Sequence, residues 1–82
     1  MNQCNVCGKS EARIATTEYI YRRDGGYLIV SDVPCEECLN CGERYFTAET
    51  LRKIEAEFGR LERLEKRPAK TITVPIEEFS TL

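Results

Sequence analysis

Cysteine is the residue type in this 82-residue sequence with the clearest capacity for chemistry, since the chain contains five cysteines and no histidine. Two of the cysteines lie in the string CNVCG near the start, and three lie in the string CEECLNCG in the middle. Two C-x-x-C pairs separated by a loop are typical of a tetrahedral metal site with four thiolate ligands. The spacing therefore predicts that four of the five cysteines bind one metal ion.

The second string leaves two choices of ligand, because Cys38 forms a C-x-x-C pair with either Cys35 or Cys41. Glycine follows the last cysteine of both strings, whereas leucine follows Cys38. A turn that directs backbone N–H groups at thiolate sulfur needs a residue that tolerates positive φ after the second ligand, and glycine is that residue. We therefore predict the ligands Cys4, Cys7, Cys38 and Cys41.

Zinc is the metal that this ligand set predicts, as one structural ion per chain. Four cysteines complete the tetrahedron and leave no position for water, so we expect neither hydrolysis nor any other enzyme activity. Four thiolates also hold a single iron ion in rubredoxin, which the site resembles locally. Cys35 is an alternative reactive thiol, but the sequence offers no histidine as a base, which favours a spare cysteine.

The length and composition indicate one small domain with a modest core, for which a bound metal would supply folding free energy. The odd number of cysteines and the lack of a long apolar stretch favour a metal-binding protein of the cytoplasm over a disulfide framework or a membrane protein. The formal net charge of -2 argues against binding of nucleic acid by this chain alone.

Two β-rich segments lie between the cysteine pairs. The string RIATTEYIYRR, from Arg13 to Arg23, predicts one strand, and YLIVS, from Tyr27 to Ser31, predicts a second strand. The Asp-Gly-Gly sequence between them predicts the turn of an antiparallel hairpin. Because an isolated hairpin is marginally stable, we expect the metal site to tie the base of this hairpin together.

A long amphipathic helix is predicted from about Ala48 to Lys66, with Thr47 as its N-cap and Pro68 beyond its end. Apolar residues at spacings of three and four form a stripe along it, consisting of Leu51, Ile54, Phe58, Leu61 and Leu64. The stripe has two interpretations. Either it packs on the hairpin, or its C-terminal half meets another chain, including a second copy in a homodimer.

The last segment, residues 68–82, is predicted to be an extended tail beyond a domain of residues 1–67. Ile72, Val74 and Ile76 alternate with threonine and proline, which predicts an edge strand. This strand either returns to its own sheet, frays, or adds to the sheet of a partner. The predicted fold is thus a small zinc-stabilised α+β domain, with a pair of zinc knuckles around an antiparallel hairpin, one long helix and a C-terminal extended strand.

The string CNVCG, a hairpin, the string VPCEECLNCGERYF and a helix that opens with TAETL follow one another in this chain. This combination resembles the YgiT-type zinc finger, the N-terminal zinc domain of the MqsA antitoxin family, over roughly residues 1–65. Cys35 falls where that family usually has a small or apolar residue that is not a ligand. The positions that match its pattern are Val33, Pro34, Cys38, Cys41, Gly42, Glu43, Tyr45 and Phe46.

The resemblance implies an antitoxin of a type II toxin–antitoxin pair, which binds and neutralises a small, ribonuclease-like toxin through its zinc domain. MqsA also carries a helix-turn-helix domain that binds operator DNA, and we do not expect operator binding from this shorter chain. The alternative is a small zinc-ribbon transcriptional regulator that binds nucleic acid through its basic clusters. These clusters are Arg22 and Arg23, and Arg60, Arg63, Lys66, Arg67 and Lys70.

Overall fold

A computed structural model describes residues 2–82 of the chain. Its elements, in chain order, are strands β1 (Ala12–Arg23), β2 (Gly26–Cys38) and β3 (Arg44–Tyr45), helix α1 (Ala48–Glu62) and a short 3-10 helix (Phe79–Thr81). The three strands form one antiparallel sheet in the order β1-β2-β3. The prediction of a small α+β fold with an antiparallel hairpin and one helix is therefore confirmed.

The β1-β2 hairpin turns at Asp24 and Gly25, whose φ angles of 50° and 80° are those of a type I′ turn. Its ladder runs from Arg23 opposite Gly26 down to Ala12 opposite Cys38, so β2 continues well beyond the predicted end at Ser31. Pro34 does not end β2. It lies opposite Thr16 of β1, but β3 pairs only with residues 36 and 37, so Pro34 has a partner strand on one side only and its missing N–H breaks no ladder on the other.

A β-bulge in the hairpin decides which residues of β2 face the core. The register shifts at Glu18, and β2 carries the extra residue there, with Asp32 at a φ of 56°. One extra residue reverses the alternation of a strand. Accordingly, even-numbered residues such as Val30 face inward before the bulge, and Val33 and Cys35 are buried after it.

The core lies between the inner face of the sheet and α1, where Ile54 and Phe58 are buried. The ring of Phe58 meets Tyr21 edge-on, with the ring centroids 5.2 Å apart. A Cβ atom at Gly26 would lie 2.8 Å from Phe58 Cζ, so this glycine gives the helix room to approach the hairpin. The middle of the apolar stripe on α1 therefore packs on the hairpin of the same chain.

The prediction that the helix extends to Lys66 is wrong, because α1 ends at Glu62 in a Schellman motif. Leu64 adopts a left-handed φ of 60°, and its N–H donates to the carbonyl of Leu61. The N–H of Glu65 donates to the carbonyl of Arg60, which completes the motif. Leu64 is consequently 89% exposed and takes no part in the packed stripe.

Of the three alternatives for the C-terminal segment, a strand that returns to this chain's own sheet does not form. In the described structure, residues 68–82 pair with no strand and contain only the short 3-10 helix at Phe79–Thr81. An alternating apolar sequence forms a strand only where a neighbouring edge supplies the ladder hydrogen bonds, and no edge of this sheet lies along the tail. The large apolar side chains of the tail, Ile72, Val74, Ile76, Phe79 and Leu82, are all exposed.

Candidate metal centre

The structure brings together the four cysteines that the sequence predicts as ligands. The Sγ atoms of Cys4, Cys7, Cys38 and Cys41 all lie within 4.8 Å of one another. The Cys4–Cys41 and Cys7–Cys38 sulfur pairs are each 3.6 Å apart. Four sulfur atoms in a tetrahedron around a metal at about 2.3 Å lie about 3.8 Å from one another. The cluster thus has the size and donor set to hold one metal ion.

Each cysteine pair is shaped by the same backbone turn. The N–H of Gly8 donates to the carbonyl of Cys4, and the N–H of Gly42 donates to the carbonyl of Cys38, both at 2.9 Å. The two glycines have φ angles of 79° and 78°, in the left-handed region that a Cβ atom makes costly. The glycine after the last cysteine of each string therefore adopts the positive φ that the sequence predicts.

The hairpin positions the two turns next to each other. The first turn ends at Gly8, shortly before β1, and the second begins at Cys38, the last residue of β2, which lies opposite Ala12. The N–H of Leu39 donates to the carbonyl of Glu11 at 3.0 Å and extends this ladder into the second turn. A metal ion bound by both turns would therefore join the two strands at the base of the hairpin.

Tyr45 connects β3 to the cysteine cluster, a role that the sequence did not predict beyond its place in the motif. Its hydroxyl oxygen accepts a hydrogen bond from the N–H of Asn5 at 2.8 Å and lies 3.1 Å from Cys4 Sγ. Since the oxygen accepts from the amide, its own proton is free to be donated to sulfur. The hydrogen bond from Tyr45 is the largest of several that together lower the pKa of Cys4 to about 6, against the opposing effect of burial.

The pKa values of the four thiols are not all lowered. For Cys41, a backbone hydrogen bond with Glu43 favours the thiolate, but desolvation and the neighbouring thiols outweigh it and raise the pKa to about 12. Four thiolates at such short distances repel one another unless a cation lies among them. The cluster is therefore suited to a divalent metal, whose charge stabilises all four thiolates.

Cys35 lies outside the four-cysteine cluster. It is 6% exposed and pairs with Ala15 of β1 on the inner face of the sheet, where the bulge has directed it. Pro34 and Phe46 line the same shallow groove. In these surroundings, Cys35 serves as a small apolar core residue.

The basic residues of α1 and its C-terminal turn are largely engaged in ion pairs. Glu57 Oε1 lies 2.7 Å from the guanidinium of Arg60, and Glu57 Oε2 lies 2.7 Å from the ammonium of Lys66. Arg63 pairs with Glu65. This surface therefore carries charges of both signs, which weakens its attraction for phosphates.

The fold and the cysteine cluster together define a small α+β domain that could hold a metal ion at the base of its hairpin. Comparisons with models of protein families, with curated proteins and with solved structures found no match to this chain. The described part of the chain has no helix with the length and apolar character to cross a membrane.

Proposed function

We propose that this chain is an antitoxin-like protein of a type II toxin–antitoxin system, which binds and neutralises a small, ribonuclease-like toxin in the cytoplasm. In this proposal the metal is a single structural zinc ion, and the chain has no catalytic activity. The observation that carries the proposal is that the cysteine cluster and the exposed apolar side chains lie in different parts of the molecule. Its four-thiol cluster lies at the base of the hairpin, where a bound metal would join the two strands, while a set of large apolar side chains faces solvent elsewhere.

The donor set supports zinc as the metal. Thiolate sulfur is a soft ligand, and structural zinc sites are commonly closed by four cysteines at the distances seen in this cluster. Two turns of the C-x-x-C-G type bring these sulfurs together at the base of the hairpin. Because all four ligands come from the chain, zinc would have no open position for substrate.

The tail supports a protein partner. Ile76 is 88% exposed, Phe79 is 90% exposed and Leu82 is 82% exposed, which is unusual for large apolar side chains that have only water to contact. The alternation of Ile72 with Val74 and Ile76 suits addition of a strand to the sheet of another protein. We propose that the toxin supplies the strand edge with which the tail pairs.

The charge balance is consistent with such a partner. An enzyme that cleaves RNA has a basic surface, and this chain has a formal net charge of -2 with an isoelectric point near 5.2. The attraction between them would chiefly accelerate association. The contacts of the apolar tail would then slow dissociation.

A binding and inhibition experiment tests this function. The metal-loaded chain is mixed with a small basic ribonuclease encoded beside it, and both the affinity and the rate of RNA cleavage are measured. We expect inhibition at equimolar concentrations, and a large loss of affinity when residues 68–82 are removed. A chain that carries Cys35→Ala is the matched control and should inhibit as well as the original.

Two results would contradict the proposal. Failure of the full chain to bind any such ribonuclease at micromolar concentration would remove the antitoxin function. Elemental analysis that finds iron in place of one zinc per chain would remove the proposed metal, whatever the result of the binding assay. The truncated chain should keep its zinc, because the tail contributes no ligand to the described cluster.

A further inference from the structure

Strand β1 is an unpaired edge of the sheet. The sheet order places β2 on one side of it, and no described residue pairs with its other side. β1 is 12 residues long, has neither glycine nor proline, and remains regular because the extra residue of the bulge belongs to β2. Natural edge strands are usually shortened, bulged or blocked by proline. β1 has none of these three features, so its unpaired backbone groups can accept another strand.

The hairpin turn determines which backbone groups of β1 point away from β2. Arg23 and Gly26 close the two-residue turn, and such a closing pair exchanges both of its hydrogen bonds. Along an antiparallel strand the bonded residues alternate. The even-numbered residues of β1, from Ala12 to Arg22, therefore present their N–H and C=O groups to the free edge.

Two of these even-numbered residues also carry exposed apolar side chains. Ile14 is 82% exposed and Ile20 is 57% exposed on the outer face of the sheet. Helix α1 offers less apolar surface for association, since Ile54 and Phe58 are already buried against the hairpin. The edge of β1 thus combines free backbone groups with apolar side chains beside them.

We propose that two copies of this chain pair through their β1 strands, antiparallel and with Thr17 opposite Thr17 across a two-fold axis. The two three-stranded sheets then join into one sheet of six strands. In this register Ile14 lies opposite Ile20 of the second copy, and the reciprocal pair forms by symmetry. Glu11, just before β1, lies opposite Arg23 of the second copy, so each end of the interface gains an opposite-charge pair.

The registers centred on Glu18 and on Ile20 are less favourable for reasons of charge and length. Centring the axis on Glu18 places Glu18 against itself and Arg13 against Arg23, and like charges directly opposite each other are destabilising. Centring it on Ile20 avoids like charges but shortens the paired segment and leaves Ile14 without a partner. The register at Thr17 pairs nearly the whole strand, and it places no two like charges directly opposite each other.

Sedimentation equilibrium of the metal-loaded chain tests the dimer. The expected mass at micromolar concentration is twice the 9.4 kDa of the chain. Thr16 lies opposite Glu18 of the second copy, so Thr16→Glu creates two like-charge pairs, whereas its matched control Thr16→Lys creates two attractive pairs. We expect Thr16→Glu to raise the dimer dissociation constant by about tenfold relative to Thr16→Lys.

Three outcomes of this experiment would overturn the proposal. They are a monomeric original chain, equal effects of the two variants, and a stronger dimer in Thr16→Glu. Helical circular dichroism and metal content establish that each variant is folded. If neither variant folds, the mass of the original chain and the crosslinking below still decide the matter.

Disulfide crosslinking tests the register. Thr17 of one copy faces Thr17 of the other in a non-hydrogen-bonded pair, the type of antiparallel pair whose Cβ atoms are close enough for a disulfide. Thr17→Cys, made in a Cys35→Ala chain to avoid a bond within one hairpin, should therefore form crosslinked dimers on mild oxidation. The matched control Glu18→Cys should remain uncrosslinked. Equal crosslinking of both, or crosslinking of the control alone, would refute the Thr17 register.

Discussion

Replacement of Tyr45 by phenylalanine isolates the contribution of one hydroxyl group to the cysteine cluster. The ring is half-buried beside β2, and phenylalanine retains its apolar contacts. Only two interactions are lost, the hydrogen bond from the N–H of Asn5 at 2.8 Å and the contact with Cys4 Sγ at 3.1 Å. We expect Tyr45→Phe to weaken metal binding while leaving the fold of the loaded protein unchanged.

The magnitude follows from where the two partners of the hydroxyl lie. Asn5 is exposed, so water replaces the lost partner of its N–H at little cost. Cys4 is only 2% exposed, so the site offers its sulfur little access to water as a substitute donor. Removal of a hydrogen bond to a metal ligand typically costs about 10–100-fold in metal affinity. Because only one of the two hydrogen bonds is costly to lose, we expect the metal affinity of Tyr45→Phe to fall by about tenfold, the lower end of the 10–100-fold range.

Competition with a chelator measures the effect. The apparent metal dissociation constant of Tyr45→Phe is compared with that of Tyr27→Phe, which removes the hydroxyl of a tyrosine that is 63% exposed on the outer face of the sheet. Both substitutions remove one oxygen from a strand residue, but only Tyr45 contacts a cysteine of the cluster. Equal affinities of the two variants would refute the role assigned to the Tyr45 hydroxyl.

Three further predictions concern the metal, the helix end and the pH dependence. Cys41→Ser should abolish metal binding and unfold the hairpin, whereas Cys35→Ser should keep one metal per chain by elemental analysis; the reverse result would show that the ligand set is wrong. Leu64→Gly should raise the free energy of unfolding by roughly 0.5–1 kcal/mol, because glycine accepts a positive φ at little cost, and Leu64→Ala should give no such gain in a denaturant titration. The ion pair with Lys66 lowers the pKa of Glu57 below its ordinary 4.5. The ionised Glu57 carboxylate therefore stabilises the folded chain above pH 4.5, and this stabilisation is lost as the pH falls through the lower pKa of Glu57 in the folded chain. Glu57→Gln should therefore destabilise the chain at neutral pH, and its melting temperature should converge with that of the original chain in acid; a constant difference would contradict this assignment.

The short-range features of this protein were predictable from its sequence. The glycines after each cysteine pair, the Asp-Gly turn and the Thr47 cap all act on residues within a few positions along the chain. Thr47, for example, accepts a hydrogen bond from the N–H of Thr50 at 3.1 Å, as an N-cap residue should. The four cysteines could be chosen from the five for the same reason, because a local backbone turn distinguishes Cys41 from Cys35.

Tertiary structure decided the features that depend on distant partners. The bulge at Asp32 buries Cys35, but its position depends on the pairing of β2 with β1 and leaves no clear sign in the local pattern. The hydroxyl of Tyr45 reaches Cys4 across 41 positions of sequence, which no periodicity records. Leu64 continues the apolar spacing of α1, yet the helix ends at Glu62, and Leu64 adopts a left-handed φ and is exposed.

The tail shows the same distinction most clearly. The alternation of Ile72, Val74 and Ile76 with threonine and proline would give an extended segment one face with large apolar side chains and one face without them. It does not supply a neighbouring strand. A strand is stable only when another edge completes its hydrogen bonds, so the sequence alone determines a capacity for pairing and not the pairing itself. The sequence of this protein thus determined how its two C-x-x-C-G turns form, and the tertiary structure decided which edge of the described sheet remains unpaired.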